Sequence, residues 1–416
     1  MRNLGQESAY GKRRWWVLAT LFLVTFINYF DRQTLGCAIE PIGREFGLGN
    51  GERGHLLAAF VTTYAVTHLF VGFLTDRIRN VRAFFAAMVV GWSLCTVLIG
   101  FARSYEGLLA MRYALGVFEA VNFPICLMII ARIFPARERT FASGIFSSGA
   151  FLATLAAPKF TIYLSTEYSW RYAFVIAGLL GLLWLIPWFL LYRNHGEGAT
   201  ARSAEPANLG SWMSSLRAIV RKPAFWGVTA VGIGIIPCLY FCTQWLPSYF
   251  TQELQQSYDQ ALADKLTVIY LFQDVGMWVS GAVVFWLASR GVTVLKARKA
   301  VMTVGYLLMM SVLLLFVVRN PWLNVLIFSV FIFGLGTCLS NQHAFKQDVL
   351  PGQVAAVAAL VGFCETLFTS FVLQRIGNIV ETTGNYRMVI WLLAGCATFA
   401  ILSVALLLRR KWIVIE

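Results

Sequence analysis

The sequence predicts an all-α membrane protein of twelve transmembrane helices in two six-helix halves, with both termini on the cytoplasmic side. Three observations predict it. Of 416 residues, 58% are hydrophobic and 13% are charged, against about 25% charged in an ordinary soluble domain. Apolar runs of about 20 residues recur from end to end, each long enough to cross a ~30 Å hydrocarbon core. The longest polar stretch, 193–222, falls between the sixth and seventh runs. Read as a soluble protein, this length would suggest roughly two to four domains, but the runs exclude that reading. They exclude a disordered protein and a secreted disulfide scaffold as well. The net charge of +14 does not point to nucleic acid, because the charges sit between the apolar spans.

Apolar runs bounded by charged or Gly/Pro-rich breaks place the helices in order. The first, 15–41, follows the basic Lys12 to Arg14. It is too long for a signal-peptide core and no small-residue cleavage site follows it. The second to sixth lie at 54–76, 82–101, 105–132, 139–164 and 170–192, completing an N-terminal half over 1–192. A cytoplasmic linker over 193–222 carries Arg193, Arg202, Arg217, Arg221 and Lys222, with a short surface helix predicted from Ser211 to Ile219. The seventh to twelfth lie at 223–250, 265–288, 298–317, 321–346, 352–377 and 386–409, within a C-terminal half over 223–416. Basic residues set the orientation. With a cytoplasmic N-terminus, about two thirds of the 34 Lys and Arg fall on the cytoplasmic side. Two such halves around a midplane cavity are the architecture of many secondary transporters, although twelve spans alone do not specify it.

All eight cysteines fall in or beside apolar spans, where Cys behaves as a small buried hydrophobe. Cys238 and Cys242 share a helix face, but no His or carboxylate joins them at ligand spacing, so neither a metal nor a cofactor is expected. An enzyme is not expected either, because no nucleophile–base constellation appears.

The informative residues are charges at membrane depth, each of which is costly and calls for a partner or a function. Asp31 and Arg32 lie on the first helix in "NYFDRQ"; Arg112 and Glu119 lie on the fourth in "RYALGVFEAVNFP". A separation of seven residues puts Arg112 and Glu119 on one helix face, about 10.5 Å apart along the axis. Tyr29 and Tyr64 add hydroxyls nearby. A guanidinium fork holds carboxylates bidentately at any pH the protein meets. A carboxyl group in a low-dielectric cavity takes and releases a proton near neutral pH. Together they make a proton-coupled anion carrier; the alternative is two static ion pairs, Asp31–Arg112 and Glu119–Arg32, clamping the helices.

A second set lies at the cytoplasmic ends: Gly72, Asp76 and Arg77 in "GFLTDRIRNVR", and Arg132 to Arg139 in "RIFPARER". They read as gating residues or as ordinary positive-inside charges. In the second half Glu365 stands out on the eleventh helix, with Asn341, Gln342 and His343 on the tenth, and Tyr240 and Gln244 on one face of the seventh. Glu365 reads equally as a protonation site, a substrate contact or a neutral hydrogen-bonded group. His68 and His343 read as satisfied core histidines.

These residues resemble the major facilitator superfamily and, within it, the anion:cation symporter family of hexuronate, glucarate and galactonate permeases and vesicular glutamate and sialic-acid carriers. "FINYFDRQTLGCAI" is similar to the family's first-helix signature, and "RYALGVFEAVNFP" with "IFPARERTFASGIFSSG" to its fourth-to-fifth-helix signature. "WRYAFVIAGLLGLLW" matches the opening of its sixth helix, while "QWLPSYF" and "NQHAFKQDVLP" fit more loosely. The resemblance implies proton coupling for Asp31 and Glu119, and a substrate carboxylate on Arg32. It places Tyr29 and Tyr64 along that site and associates Arg112 with Glu119. Asn341 matches an asparagine of the tenth helix. Arg112, Tyr240, Gln244, Asn341 and Glu365 are further candidates for the substrate site. The eleventh helix, "GFCETLFTSFVLQRIG", departs from the pattern, with Glu365, Gln374 and Arg375 where sugar-acid permeases carry neutral residues.

The expected function is proton-driven uptake of a small organic anion across the bacterial inner membrane by a monomer. Its partners are the anion, protons and the lipid bilayer, with no nucleic acid. Two rivals remain. One is an antiporter or exporter of an amphiphilic anion, favoured by a lateral site of Glu365 and Arg375; the other is a transporter-like sensor.

Overall fold

The computed structural model describes residues 11–75, 78, 80–193, 209–350 and 353–406, and the described residues are helical with connecting turns. Helix α1 spans Arg13–Phe46, α2 Asn50–Thr75 and α3 Val81–Gly100. Then follow α4 Tyr105–Glu119, α5 Asn122–Ile133, α6 Ala136–Glu167 and α7 Trp170–Leu191. The short α8, Leu209–Val220, lies where the linker helix is expected. Helix α9 is Pro223–Tyr240, and α10, Leu246–Ser248, sits between two π-helical segments, Phe241–Trp245 and Tyr249–Glu253. The remainder are α11 Gln260–Ser289, α12 Val294–Met309, α13 Pro321–Asp348, α14 Val354–Thr383 and α15 Arg387–Leu406.

The helix ends follow from local chemistry. Ser104 and Asp259 accept hydrogen bonds from Gly107 N and Leu262 N, and Asn320 caps α13 ahead of Pro321. Such caps satisfy donors that have no partner within the helix. Helix α1 ends at Gly47, whose φ of 65° lies in the left-handed region, and its N–H returns to Gly43 O; glycine adopts that region without steric cost.

Two elements differ from expectation. The fourth span is interrupted at Ala120 and Val121, so α4 ends on Glu119 itself. The seventh span widens to π-helix around Pro247, which lacks the N–H that would bond Thr243 O four residues back. Gly36 of α1 packs directly against that carbonyl, where a side chain would collide. Proline and glycine together thus bring α1 and the 241–253 segment into backbone contact.

Among the described residues, eleven helices are long and apolar enough to cross a membrane by length and composition. Helix α1, at 34 residues, is not among them, and it carries Asn28, Asp31, Arg32 and Glu40. Large apolar side chains remain exposed along the helices, among them Leu183, Ile186 and Leu190 on α7 and Trp278, Phe285 and Trp286 on α11. On a soluble protein such patches would drive association; here they are the lipid-facing surface of a multi-pass membrane protein.

Helix α1 packs on α6 and α7, α3 on α4 and α7, and α2 on α4; α9 packs on α14 and α15, and α13 on α11 and α12. Helices on either side of residues 194–208 meet where α2 packs on α14, α6 on α11, and α1 on the 241–253 segment. One end of these seams is densely bonded. Glu40 pairs with Arg53 at 3.0 Å and also accepts from Gln252 Nε2 at 2.8 Å. Tyr258 donates to Cys37 O at 2.7 Å, and Glu381 accepts from Gly51 N.

Candidate functional site

Helix α1 carries the first charged cluster. Asn28, Asp31 and Arg32 recur at helical spacing, yet Asp31 and Arg32, as neighbours, turn in different directions. Asp31 faces α3, where Thr96 Oγ1 donates to its Oδ2 at 3.2 Å. Its Oδ1 has no hydrogen-bonding partner, although the residue is 1% exposed.

Arg32 faces α2 and α4. Its Nε donates to Glu119 Oε2 at 2.8 Å. Its guanidinium carbon lies 4.4 Å from the Tyr64 ring centroid, 4.9 Å from Tyr29 and 5.4 Å from Phe60. Aromatic faces stabilise a desolvated guanidinium through the ring quadrupole. Glu119 is fully buried, and its second oxygen, Oε1, has no partner.

Arg112 is 1% exposed and lies 4.9 Å from the Phe60 ring, with Nε and Nη1 unpartnered. Of the two pairs considered from the sequence, Glu119–Arg32 forms; Asp31–Arg112 is not among the ion pairs of the described residues. Arg112 is therefore a buried cation with spare donors, close to two buried carboxylates that each have a spare acceptor. Asn28, also buried, has neither side-chain atom bonded.

The seventh-span residues reach this cluster from the other side. Gln244 Nε2 donates to the Arg32 carbonyl at 3.2 Å and leaves its Oε1 free. Tyr240 lies within electrostatic reach of Arg32. Both sit where the π-helical widening brings that span against α1.

A second charged cluster lies between α13 and α14. Glu365 accepts from Lys346 Nζ at 2.6 Å and from Gln342 Nε2 at 2.8 Å. Gly232 of α9 makes room for it, since a Cβ there would overlap the Glu365 carboxylate. Asn341 takes no part: its Nδ2 donates to Ser280 Oγ at 2.7 Å and to Thr337 O at 2.8 Å, serving the α11–α13 contact. Nor does Glu365 meet Arg375, whose guanidinium lies over Phe371 at 4.8 Å. Of the cytoplasmic-end residues, Gly72 lies within α2, while Asp76 and Arg77 lie outside the described residues. Arg139 donates to Phe134 O, and Glu138 pairs with Arg14 at 2.8 Å.

Sequence reasoning missed Lys346, Phe60, Thr96 and Asn28. Lys346 stands four residues after Gln342 on one helix face, which was the available signal. It falls at the predicted end of the tenth span, where a lysine ordinarily extends its ammonium to the interface. His68 stacks on Tyr64 with ring centroids 5.5 Å apart, and its buried Nδ1 has no partner.

The chain matches the family model of the Major Facilitator Superfamily over residues 21–373. It is 28% identical over 344 residues to a D-galactonate transporter of Escherichia coli O6:H1, covering 78% of this chain and 80% of that protein. A probable galactarate/D-glucarate transporter of Escherichia coli K12 is 27% identical over 421 residues, covering 94% and 92%. Among solved structures, a bacterial homologue of the lysosomal transporter Spinster, inward-facing and occupied, superposes with a TM-score of 0.71 at 18% identity, covering 95% of this chain and 94% of that one. The same overall fold is thus present at an identity too low to carry function. These are transporters and not enzymes, and the protein, whose match spans most of its length, belongs to the Major Facilitator Superfamily.

Proposed function

We propose that the protein is a proton-coupled symporter that takes up a small organic anion, a sugar acid or similar carboxylate, by alternating access. In this reading α1 supplies the twelfth span, and the spans form two six-helix halves, 1–192 and 223–416, with a cytoplasmic linker and cytoplasmic termini. The membrane is the bacterial inner membrane and the working unit is a monomer. The names of the relatives support the substrate class.

The observation that carries the reading is the Arg32–Glu119 pair: one Nε–Oε2 bond at 2.8 Å, with Glu119 Oε1 unpartnered and Arg32 bracketed by aromatic rings. An incoming carboxylate binds the guanidinium fork only if Glu119 gives it up. By taking a proton, Glu119 can give it up and leave no uncompensated buried charge. Anion and proton therefore enter together, and the site keeps its net charge. Asp31, with one free oxygen, is a second proton acceptor, and a proton there adds one positive charge to that neutral exchange. Arg112, with spare donors, holds whichever carboxylate remains ionised. Tyr29, Tyr64, Tyr240 and Gln244 frame the anion, and Gly72, Asp76 and Arg77 gate the cytoplasmic end. Occlusion follows because the loaded, neutralised site favours the closed state over the empty one.

The test is uptake into liposomes holding the purified protein. Labelled hexuronates, aldonates, aldarates, aromatic acids and acidic amino acids are offered with and without an inward proton gradient. Accumulation of one anion class that a protonophore abolishes is the expected result. Exchange that needs substrate on both sides and ignores the gradient would establish an antiporter instead.

A further inference from the structure

The transport cycle above uses Arg32 as its substrate cation, and a further cation, Lys346, takes no part in it. Lys346 and Glu365 have side chains only 11% and 6% exposed and lie 2.6 Å apart, with Gln342 completing the carboxylate's bonds. A buried pair is a poor device for stability alone, since apolar residues of similar volume usually hold helices together as well. The cluster is also incompletely satisfied: Gln342 is buried and its Oε1 has no partner.

This cluster connects to the first through α2. Arg32 lies over Tyr64, Tyr64 stacks on His68, and His68 faces Gly362, one turn before Glu365 on α14. Arg32 and Lys346 both lie within electrostatic reach of His68. Tyr64 and His68 are one turn apart on α2, about 6 Å along its axis.

We propose that Lys346 is a second carboxylate-binding cation and that the transported anion is a dicarboxylate, held by Arg32 at one end and Lys346 at the other. This rests on the symport reading and narrows it. Each cation is neutralised by one protein carboxylate, Glu119 or Glu365. A proton added to a Glu365 carboxylate oxygen frees Lys346 for the substrate, as a proton on Glu119 frees Arg32. Two pairs thus accept two carboxylates and two protons with no change in net charge. The groups around Glu365 are Lys346, Gln342, Cys364 and, through Gly362, His68, with His343 beside Lys346. Relatives named for galactonate, a monocarboxylate, and for glucarate, a dicarboxylate, do not choose between the classes.

The experiment compares six-carbon aldarates with aldonates of the same length in proteoliposomes, using the full chain. Wild-type protein is expected to accumulate the aldarate and prefer it to the aldonate. Lys346→Gln is expected to lower the aldarate-to-aldonate ratio of half-saturation affinities by about tenfold or more, the range of one charge-assisted contact. Because that variant leaves Glu365 buried and unpaired, the double variant Lys346→Gln/Glu365→Gln removes both charges and is expected to shift the ratio in the same direction. Wild-type accumulation of the aldonate with no aldarate transport would overturn the dicarboxylate proposal and leave the symport reading standing. An unchanged ratio in the folded double variant would also overturn it. Failure of every carboxylate to be transported would overturn the symport reading, and this proposal with it.

Discussion

Arg32 and Glu119, 87 positions apart in the chain, are joined by a single 2.8 Å bond from Nε to Oε2, while the other oxygen of the same carboxylate accepts no hydrogen bond. A fork-to-fork pair would use two parallel bonds and both carboxylate oxygens. This one leaves an acceptor on the acid and further donors on the base, which suits an exchangeable partner.

Glu119→Gln keeps the shape and a weaker hydrogen bond to Arg32 but cannot take up a proton. Proton-driven accumulation is expected to fall about tenfold or more, while exchange of labelled for unlabelled substrate persists. Parallel gradient-driven uptake and counterflow assays check this; pH-driven uptake at the wild-type level would remove Glu119 from the coupling step.

Arg32→Lys preserves charge and loses the planar fork that lies against Tyr29 and Tyr64. Half-saturation for the transported anion is expected to rise about 10- to 100-fold, the loss of one charge-assisted, stacked contact. Competition against a labelled substrate measures it, and an unchanged half-saturation would place the substrate elsewhere.

Gly232 tests the second cluster by packing alone. Gly232→Ala drives a methyl group into the Glu365 carboxylate, so it is expected to cost about 1–3 kcal/mol as overpacking. Gly281→Ala on α11, where a Cβ meets nothing, is expected to be neutral or stabilising by up to about 1 kcal/mol. Thermal unfolding of both variants in detergent, read side by side, decides the point.

The bonded end of the seams is tested through Cys37, which is buried beneath it. Glu40→Gln removes the ionic partner of Arg53 and weakens the acceptor for Gln252, destabilising the closed end by about 3 kcal/mol if Arg53 remains buried. Faster labelling of Cys37 by a membrane-impermeant maleimide is the expected readout. A rate equal to the wild type would mean that Glu40 does not hold that end closed.

What the sequence by itself determined is the part of the problem that is local along the chain. Desolvating an apolar run of about 20 residues, with its backbone bonded internally, is favourable whatever its neighbours are. The membrane helices were therefore legible, to within a few residues at their ends. The cost of a charge at depth is similarly local, so Asp31, Arg32, Arg112, Glu119 and Glu365 stood out without any knowledge of packing. Helical periodicity even placed Arg112 and Glu119 on one face.

Only the tertiary structure decided which acid meets which base. Arg32 takes Glu119, while Asp31 turns to Thr96 and Arg112 lies against Phe60. Lys346, which reads as the end of a span, reaches Glu365. Asn341, which reads as a site residue, bonds to Ser280 and Thr337. These outcomes depend on the rotation of each helix about its axis and on its register against its neighbours. Both are set by contacts such as Gly36 on the Thr243 carbonyl and Gly232 under Glu365. A period of 3.6 residues fixes which side chains share a face, but not which neighbouring helix that face will meet.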